Sequence, residues 1–277
     1  MGCLALQKSN LHTHTGFGDG KNTAEEMVLE AIALGMEAIG FSEHSFTPHD
    51  TSYCMTQKGT VSYRAEIERL KRAYGDRIRI DLGIELDYYG ETPTVDYDYI
   101  IGSVHYVRLG EEHCVVDMSA KAIDNAVQTY CDGDFLRYAQ RYYQAVADVA
   151  NKTKCNIVGH FDLLSKFNEG GAMFDENDPR YLALGYEALD ALLEKDLVFE
   201  VNTGAISRGY RTAPYPSIPF LRYIREKGGR ITLSSDAHRK EHLLYGFDQV
   251  LPLLKECGYS SLLTLTKNGW EELPLKN

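Results

Sequence analysis

The sequence predicts an α/β fold in which parallel strands form a closed but distorted barrel with helices outside it. Seven apolar segments of strand length recur along the 277 residues, and a helix or a long loop follows each of them, as in parallel sheets. Polar groups end nearly every segment, which favours a barrel with one functional mouth. An open doubly wound sheet is the rival architecture, but it gathers its site at a single switch point. Seven units instead of eight indicate distortion or incomplete closure.

The elements follow from periodicity and from start and stop signals. Thr23 and Glu26 form a capping box, Gly35 ends the helix that they begin, and Asp178 followed by Pro179 starts another. The predicted helices span residues 23–34, 61–74, 119–152 with a break near 131–134, 178–195, 217–227 and 247–257. The predicted strands span residues 9–15, 37–44, 77–85, 96–105, 155–160, 197–202 and 230–238. No linker rich in Pro, Gly or Ser interrupts them, so residues 1–277 are predicted to form one domain.

Composition and charge restrict the function classes. The chain is 44% hydrophobic and 25% charged, which is ordinary for a soluble globular protein, and it has no apolar run long enough to predict a membrane span. The net charge of −11 disfavours nucleic acids and anionic membranes as partners. Residues 1–9 are too short for a secretory signal, and the six scattered cysteines indicate free thiols, so we expect a cytoplasmic protein.

The stretch richest in ligand-type side chains is residues 10–20, Asn-Leu-His-Thr-His-Thr-Gly-Phe-Gly-Asp-Gly. His12 and His14 are two residues apart, so in a strand their imidazoles lie on one face, about 7 Å apart along the strand. At that distance they can share a metal ion. Asp19 lies in the glycine-rich turn that follows and can fold back as a third ligand.

Further histidines and acids recur at equivalent places. Six of the nine histidines lie at or just after predicted strand ends, and three acids share those ends or the first turn. These residues are His12, His14, His44, His105, His160 and His238, with Asp19, Glu85 and Asp236. Any one of them is ordinary alone, but chance does not account for the set. Nine nitrogen and oxygen ligands are enough for two or three Zn, Mn or Fe ions. His49, His113 and His242 fall in loops and are assigned no ligand role.

The motifs that carry these residues resemble those of the PHP (polymerase and histidinol phosphatase) family in order, spacing and strand placement. They are His12-Thr-His14, Ser42-Glu-His44, Gly83-Ile-Glu85, Ser103-Val-His105, Gly159-His160 and Ser235-Asp236-Ala-His238. The segment 202–211 resembles the family's histidinol-phosphate phosphatase branch. The resemblance implies a distorted (β/α)7 barrel, which is TIM-like, with a site for three divalent ions. Carried over by position, the first ion takes His12, His14, Glu85 and Asp236, the second shares Glu85 and takes His105 and His160, and the third takes Asp19, His44 and His238.

The resemblance also implies hydrolysis of a phosphomonoester, with L-histidinol phosphate converted to L-histidinol and phosphate in histidine biosynthesis. Glu85 and a water would then bridge two ions, which lower the pKa of the water to about 7. The resulting hydroxide attacks phosphorus in line with the leaving alkoxide. Asp236 is expected to orient or deprotonate the nucleophile, and either a metal-bound water or His238 is expected to protonate the leaving oxygen.

Several residues are candidates for substrate contacts. Arg208 and Arg211 follow the sixth strand, where an arginine fork suits a phosphate monoester, and the position of Arg208 resembles the family's anion clamp. Acids near the mouth are candidates for the ammonium and imidazole of histidinol, and tyrosines for walls around its ring. The acids are Glu43, Asp87, Asp117 and Asp162, and the tyrosines are Tyr88, Tyr89, Tyr106 and Tyr210.

Three other functions stay open at this point. A PHP phosphoesterase acting on a nucleotide or short oligonucleotide is the nearest, although the acidic balance and the lack of a basic stripe disfavour long nucleic acids. An amidohydrolase would often use a strand-end lysine, and no predicted strand ends in one. A non-catalytic metal-binding or regulatory protein would need no anion clamp. No amphipathic stripe is left over for a partner, so we expect a monomer or a small homo-oligomer.

Overall fold

The structure is a computed structural model that describes residues 8–93 and 95–275. Most of the segment on which the prediction of no secretory signal depends, and Cys3 with it, lies outside the described residues. The five cysteines inside them are free thiols. Among the helices of the described part, none is both long enough and apolar enough to cross a bilayer.

The strands confirm the predicted alternation. In chain order they are β1 (Ser9–Asn10), β2 (Ala38–Phe41), β3 (Arg79–Asp87), β4 (Tyr99–Ser103), β5 (Tyr106–Leu109), β6 (Glu112–Val115), β7 (Ile157–Val158), β8 (Val198–Asn202), β9 (Arg230–Ser234), β10 (Ser261–Thr266) and β11 (Gly269–Pro274). Seven of them form one parallel sheet in the order β1-β2-β3-β4-β7-β8-β9.

The sheet curls until its two edges meet. A parallel bridge joins Thr13, just after β1, to Ala237, just after β9. The Ala237 carbonyl accepts from the backbone N–H of His14 at 2.9 Å, and the Ala237 N–H donates to the carbonyl of His12 at 3.1 Å. The predicted distorted barrel of seven units is therefore confirmed. The predicted first strand is shorter than expected, because residues 11–14 form the seam and not a regular ladder.

Except for one short helix after β8, which was not predicted, the helices of the described residues lie where the periodicity predicts them. They are α1 (Ala24–Ala33), α2 (Gln57–Tyr74), α3 (Ala120–Tyr130), α4 (Phe135–Thr153), α5 (Pro179–Leu193), α6 (Gly204–Ser207), α7 (Ile218–Glu226) and α8 (Phe247–Glu256). The capping box of Thr23 and Glu26 is present. The predicted break separates α3 from α4, because Asp132 and Gly133 both take positive φ angles, 55° and 74°.

The core lies mainly between the barrel and the surrounding helices. Its largest cluster is rich in fully buried aromatic rings from α4, α5 and α7. Tyr143 and Tyr181 share a hydrogen bond between their hydroxyls at 2.8 Å, and their rings contact Phe220. Many of the tyrosines are therefore packing residues, and in this pair each hydroxyl satisfies the other.

Two antiparallel hairpins differ from the prediction, which assigned their residues to loops and to the tail. The first pairs β5 with β6 directly after His105, a predicted metal ligand. The second pairs β10 with β11, and Leu265 and Trp270 of this hairpin pack on a small cluster inside the barrel. Thr264 of β10 bonds Ser9 at the start of β1, so this hairpin covers the amino end of the barrel. The carboxyl end stays open.

Candidate metal centre and substrate cavity

The structure brings all nine predicted ligand side chains together at the carboxyl end of the barrel. Each lies in the last residues of a barrel strand or in the loop that follows it, because parallel strands end on one face. Seven of the nine residues are buried. The other two, Asp19 and His238, have side chains that are 35% and 22% exposed, so one side of the cluster faces solvent.

Glu85 lies at the centre of this cluster and is 1% exposed. Its Oε2 faces three imidazoles, and its Oε1 faces two others. The nitrogens are His44 Nδ1 at 2.8 Å, His12 Nε2 at 3.3 Å and His14 Nε2 at 3.6 Å from Oε2, and His160 Nε2 at 2.9 Å and His105 Nε2 at 3.3 Å from Oε1. One carboxylate thus divides five histidines into two sets, which is the arrangement of a bridging ligand.

Asp236 and Asp19 complete the other side of the cluster. Asp236 Oδ1 lies 3.2 Å from His14 Nε2, and Asp19 Oδ1 lies 3.2 Å from His238 Nε2 and 3.8 Å from His44 Nε2. The His14 ring stacks against both His44 and His238, with centroid distances of 4.3 and 4.2 Å. Imidazoles packed this closely need either neutral rings or a shared cation.

Three groups of these side chains can place ligand atoms within 4.8 Å of one another. They are His14, Asp19, His44 and His238; His12, His14 and Asp236; and His44, Glu85 and His105. The groups resemble the three sets that the family resemblance implies. They differ in that His14 and His44 each belong to two groups, while His160 reaches the cluster through Glu85.

Several polar atoms of the cluster lack the partners that buried polar groups normally have. They are His12 Nε2, both ring nitrogens of His14, Asp19 Oδ1, Glu85 Oε2 and His160 Nδ1. Leaving a buried polar atom unpaired costs about 1–3 kcal/mol, and divalent cations satisfy imidazoles and carboxylates together. Nitrogen and oxygen donors without thiolate suit Zn, Mn or Fe. The residues therefore fit a multinuclear metal site.

The protonation states of the cluster also fit a metal site. Burial, with repulsion from His238 and His44, lowers the pKa of His14 to about 3, so this ring is neutral at neutral pH and able to ligate a metal. Burial alone would raise the pKa of Glu85, but nearby histidines, His12 and His44 foremost, hold it well below its usual range. Glu85 therefore stays ionised inside the protein.

Two carboxylates behind the ligands orient the imidazoles. Glu200 Oε1 lies 2.6 Å from His12 Nδ1, and its Oε2 accepts from the backbone N–H of His160 at 2.8 Å. Asp87 Oδ2 lies 3.1 Å from His105 Nδ1 and accepts from the His105 backbone N–H at 3.0 Å. Such bonds fix the imidazole tautomer and leave the other ring nitrogen for a metal.

The sequence analysis did not identify Glu200. A signal was present, because Glu200 interrupts the apolar strand β8 and a charged residue is almost never fully buried without partners. It is 1% exposed. A buried acid inside an apolar strand of a barrel that gathers ligands at its mouth therefore predicts an orienting carboxylate.

Arg208 lies against Asp236. Its Nη2 donates to Asp236 Oδ2 at 2.9 Å and its Nη1 to the Asp236 carbonyl at 3.1 Å, while its buried Nε has no partner. Although burial acts in the opposite direction, Arg208 holds the pKa of Asp236 well below its ordinary range. Asp236 takes a φ of 50°, an uncommon conformation for a non-glycine residue that concentrates at functional sites.

The approach of these two side chains requires a glycine at position 204. A Cβ on Gly204 would lie 2.7 Å from Arg208 Nη2 and 2.8 Å from Asp236 Oδ2. Any side chain there would therefore push the guanidinium or the carboxylate out of place.

The metal-ligand cluster forms the floor of a cavity of about 330 Å³, within the range of small-molecule sites. Arg208 forms part of its wall, and the loop after β2, the β5–β6 hairpin and the segment after β7 form the rest. Those three segments contribute Asp50, Ser52, Tyr53, Tyr106, Val115, Leu163 and Lys166, and Asp117 and Met118 follow the hairpin. A larger, shallower cavity of about 640 Å³ beside Arg108 and Arg141 contains none of the ligand residues.

Three residues predicted to contact the substrate point elsewhere. Arg211 is buried against Glu176, to which its Nη1 donates at 2.6 Å, so its guanidinium is already used in an ion pair. Tyr210 is 41% exposed and does not line the cavity. Glu43 is completely buried beneath the glycine-rich loop, where it accepts from the Thr15 N–H and where burial raises its pKa to about 8. Of the two predicted arginines, Arg208 is therefore the one that lines the cavity.

Some of the other candidate acids and tyrosines line the cavity and others do not. Asp162 is buried and accepts from the backbone N–H of Ser217 at 3.0 Å, and Asp87 is occupied by His105. Asp117 and Tyr106 line the cavity. The cavity wall therefore includes one acid and one tyrosine of those predicted.

Comparison with known proteins shows similarity to the PHP domain family and to several named enzymes. The profile of the PHP domain family matches residues 10–204. The histidinol-phosphatase of Bacillus subtilis is 26% identical, over 89% of this chain and 99% of its own length. The histidinol-phosphatase of Lactococcus lactis subsp. lactis is also 26% identical, over 94% of this chain and 95% of its own.

A solved structure has the same fold. The histidinol phosphate phosphatase of Lactococcus lactis, crystallised in complex with zinc, L-histidinol and phosphate, aligns with a TM-score of 0.70. The alignment covers 96% of this chain and all of that one at 23% identity. At this identity the alignment describes the course of the backbone.

Proposed function

The chain belongs to the PHP domain family, and from that premise we propose that it is a metal-dependent phosphomonoester hydrolase that converts L-histidinol phosphate and water to L-histidinol and phosphate. Two curated relatives that match nearly the whole chain are named histidinol-phosphatases. The structural relative from Lactococcus lactis contains both products, L-histidinol and phosphate, together with zinc.

The observation that carries the proposal is the position of Arg208. Its guanidinium bonds Asp236, which belongs to the metal-ligand cluster, and both residues line the same cavity. A floor that holds divalent cations, with a planar guanidinium in the adjoining wall, would suit a phosphate dianion. A protein that only stores metal has no need of such an anion clamp.

We propose that the nine ligand residues hold three divalent ions, with Zn, Mn and Fe as the candidates. When bound, such ions lower the pKa of a water molecule and neutralise the charge on phosphoryl oxygens. The unpartnered ring nitrogens and carboxylate oxygens of the cluster support this assignment. The zinc in the structural relative supports zinc as one of the ions.

The protein's own groups position and activate the reactants. Arg208 donates to a phosphoryl oxygen through its free Nε, and its bond to Asp236 keeps that phosphate beside the Asp236 carboxylate. Asp236 then orients the attacking water, and the proton of that water leaves to solvent. Glu85 lies between the two histidine sets, with one carboxylate oxygen facing each set.

The sequence analysis assigned His238 two roles, and the geometry supports one of them. His238 Nδ1 lies 3.0 Å from the carbonyl oxygen of Asp236 and is bonded there, so Nε2, which faces Asp19 at 3.2 Å, is the free nitrogen. One nitrogen cannot both hold an ion and donate a proton. We therefore assign His238 to ion binding with Asp19, and solvent in the open cavity protonates the leaving alkoxide.

The wider description of the protein is part of the same proposal. We propose that residues 1–277 act as one catalytic domain, in the cytoplasm, as a monomer or a small homo-oligomer. The substrate is a small phosphorylated molecule, which the size of the cavity supports. The net charge of −11 supports the exclusion of long nucleic acids.

The test is phosphate release by purified protein whose bound metal has been measured. L-histidinol phosphate, AMP and a short oligonucleotide are compared as substrates, and the expected kcat/KM is highest for L-histidinol phosphate. A higher kcat/KM for AMP or for the oligonucleotide would mean that L-histidinol phosphate is not the substrate. A metal-loaded protein that releases phosphate from none of them would make the non-catalytic alternative the better description.

A further inference from the structure

One carboxylate in the wall of the substrate cavity has no cationic partner. Asp50 lies in the loop after β2 and lines the cavity. Its Oδ1 accepts from the backbone N–H of Ser52 at 3.0 Å and from the Ser52 hydroxyl at 2.7 Å, and its Oδ2 accepts from the Tyr106 hydroxyl at 3.0 Å. In the described part of the chain, no lysine or arginine forms an ion pair with it.

The other charged groups of the cavity wall are already paired. Asp117 Oδ2 lies 3.3 Å from Lys166 Nζ, which also donates to the Asp117 carbonyl at 2.8 Å. Arg208 is bonded to Asp236. Among the described residues, Asp50 is therefore the wall acid that no lysine or arginine neutralises. Burial would raise the pKa of Asp50, but the hydrogen bonds from Ser52 and Tyr106 and the neighbouring His49 hold it below the usual value.

Aromatic rings connect Asp50 to the metal-ligand cluster. The Tyr53 ring meets the ring of the ligand His44 edge to face, with a centroid distance of 4.8 Å, and lies 6.4 Å from the Tyr106 ring. Tyr106 in turn donates to Asp50. The wall thus runs from the cluster across two tyrosine faces to a carboxylate, and both tyrosine faces and carboxylates attract cations.

The loop that carries Asp50 is held in place by a second aromatic contact. His49 stacks on His113 of β6 with a centroid distance of 4.0 Å and an interplanar angle of 16°, and it also meets Tyr106 at 4.5 Å. The β2 loop and the β5–β6 hairpin are therefore joined on the outer side of Asp50. A carboxylate fixed in this way binds a cation without first being ordered.

We propose that Asp50 is a specificity-determining residue that binds the protonated amino group of the substrate, with Tyr53 and Tyr106 as the adjoining wall. The substrate class is then a phosphomonoester whose organic part carries an ammonium group, with the phosphate on the metal-ligand floor and the ammonium at Asp50. This inference rests on the proposed phosphatase function and adds how the organic part is selected.

The experiment compares three phosphomonoesters on the metal-loaded enzyme. L-histidinol phosphate carries an amine and a ring, phosphoethanolamine carries an amine alone, and p-nitrophenyl phosphate carries a ring without a cation. The variant is Asp50→Asn, whose side-chain oxygen still accepts from the Ser52 N–H and whose amide still meets the Tyr106 hydroxyl. The matched control is Asp124→Asn, which removes the same charge from the exposed face of α3.

Asp50→Asn is expected to raise KM for both amine-bearing substrates by about tenfold or more, because it removes a charge-assisted hydrogen bond. It should leave kcat nearly unchanged, because the contact is the same in ground and transition states. KM for p-nitrophenyl phosphate and all constants of Asp124→Asn should stay at wild-type values.

Equal increases in KM for all three substrates would overturn the inference, because Asp50 would then only shape the cavity. An unchanged KM for the two amine-bearing substrates would overturn the inference as well. So would an equal increase in KM in Asp124→Asn. The proposed function fails separately, if the wild-type enzyme cleaves the other two esters and not L-histidinol phosphate. Phosphoethanolamine would still measure the role of Asp50 in that case.

Discussion

Glu200 accepts a hydrogen bond from His12 Nδ1 at 2.6 Å from inside the barrel. The same carboxylate binds three further donors, which are the Ser234 hydroxyl, the backbone N–H of His160 and the Asn202 side-chain amide. One buried acid therefore sets the orientation of His12 and the backbone of His160, two proposed ligands that follow different strands. Because all four partners donate, an ionised carboxylate is the group that satisfies them together.

Glu200→Gln should weaken metal binding while the fold persists. An amide has one acceptor oxygen and one NH₂ group, so at least one of the four donors would face another donor. Loss of such an orienting partner typically costs about 10- to 100-fold in metal affinity. Metal titration against a competing chelator measures the effect, and Glu187→Gln, exposed on α5, is the control. Unchanged affinity in a folded Glu200→Gln protein would refute the orienting role.

Glu85→Gln should remove both metal and turnover. The carboxylate faces five histidines with its two oxygens, and an amide nitrogen cannot replace either oxygen as a ligand. The loss should exceed the roughly 10- to 100-fold cost of losing an outer partner. Bound metal per chain and phosphate release are measured on the same sample, with circular dichroism to check the fold. Full metal content together with full activity would show that Glu85 does not bridge ions.

Much of the fold and the ligand set could be predicted because both follow from simple periodicities. Apolar strands alternate with capped helices, and parallel strands place their ends on one face, so His12, His105 and Asp236 could be brought together from the sequence alone. Glu200 was not predicted, because its position does not follow this pattern. It lies inside an apolar strand, whereas the other ligand-type side chains lie at strand ends.

The directions of long side chains on the rim could not be predicted. Arg208 and Arg211 are three residues apart, and both have the reach and charge to hold phosphate. In the structure the two arginines have different partners. Arg211 forms an ion pair with Glu176, which is distant in the sequence, whereas Gly204 leaves room for Arg208 beside Asp236. The β5–β6 hairpin could not be predicted either, since its strands are four residues long and mix polar with apolar side chains.

Arg208→Ala and Arg211→Ala should fail in different ways. Without the Arg208 guanidinium, KM for phosphomonoesters should rise about 10- to 100-fold, the equivalent of a charge-assisted hydrogen bond, with bound metal unchanged. Without Arg211, the Glu176 carboxylate, which is 20% exposed, loses its ion pair but keeps the hydrogen bond from the Asn168 amide, so the free energy of unfolding should fall by about 1–3 kcal/mol. Kinetics and thermal unfolding of both variants separate the two effects. A KM for Arg208→Ala equal to wild type would remove Arg208 from the phosphate site.

Removal of metal should lower the Tm of the wild-type protein. Any ligand that binds only the folded state stabilises it by RT ln(1 + [L]/Kd), about 2.7 kcal/mol when the free concentration is 100 times Kd. In a chain of this size each kcal/mol moves Tm by about 2–4 °C, so chelation followed by readdition of Zn²⁺ or Mn²⁺ should move it by about 5–10 °C. The shift should shrink in Glu85→Gln, because that variant lacks the central ligand. The Tm shift is measured by thermal unfolding in chelator and in each metal. A wild-type Tm that changes neither on chelation nor on readdition of metal would mean that the buried imidazoles and carboxylates are satisfied without ions.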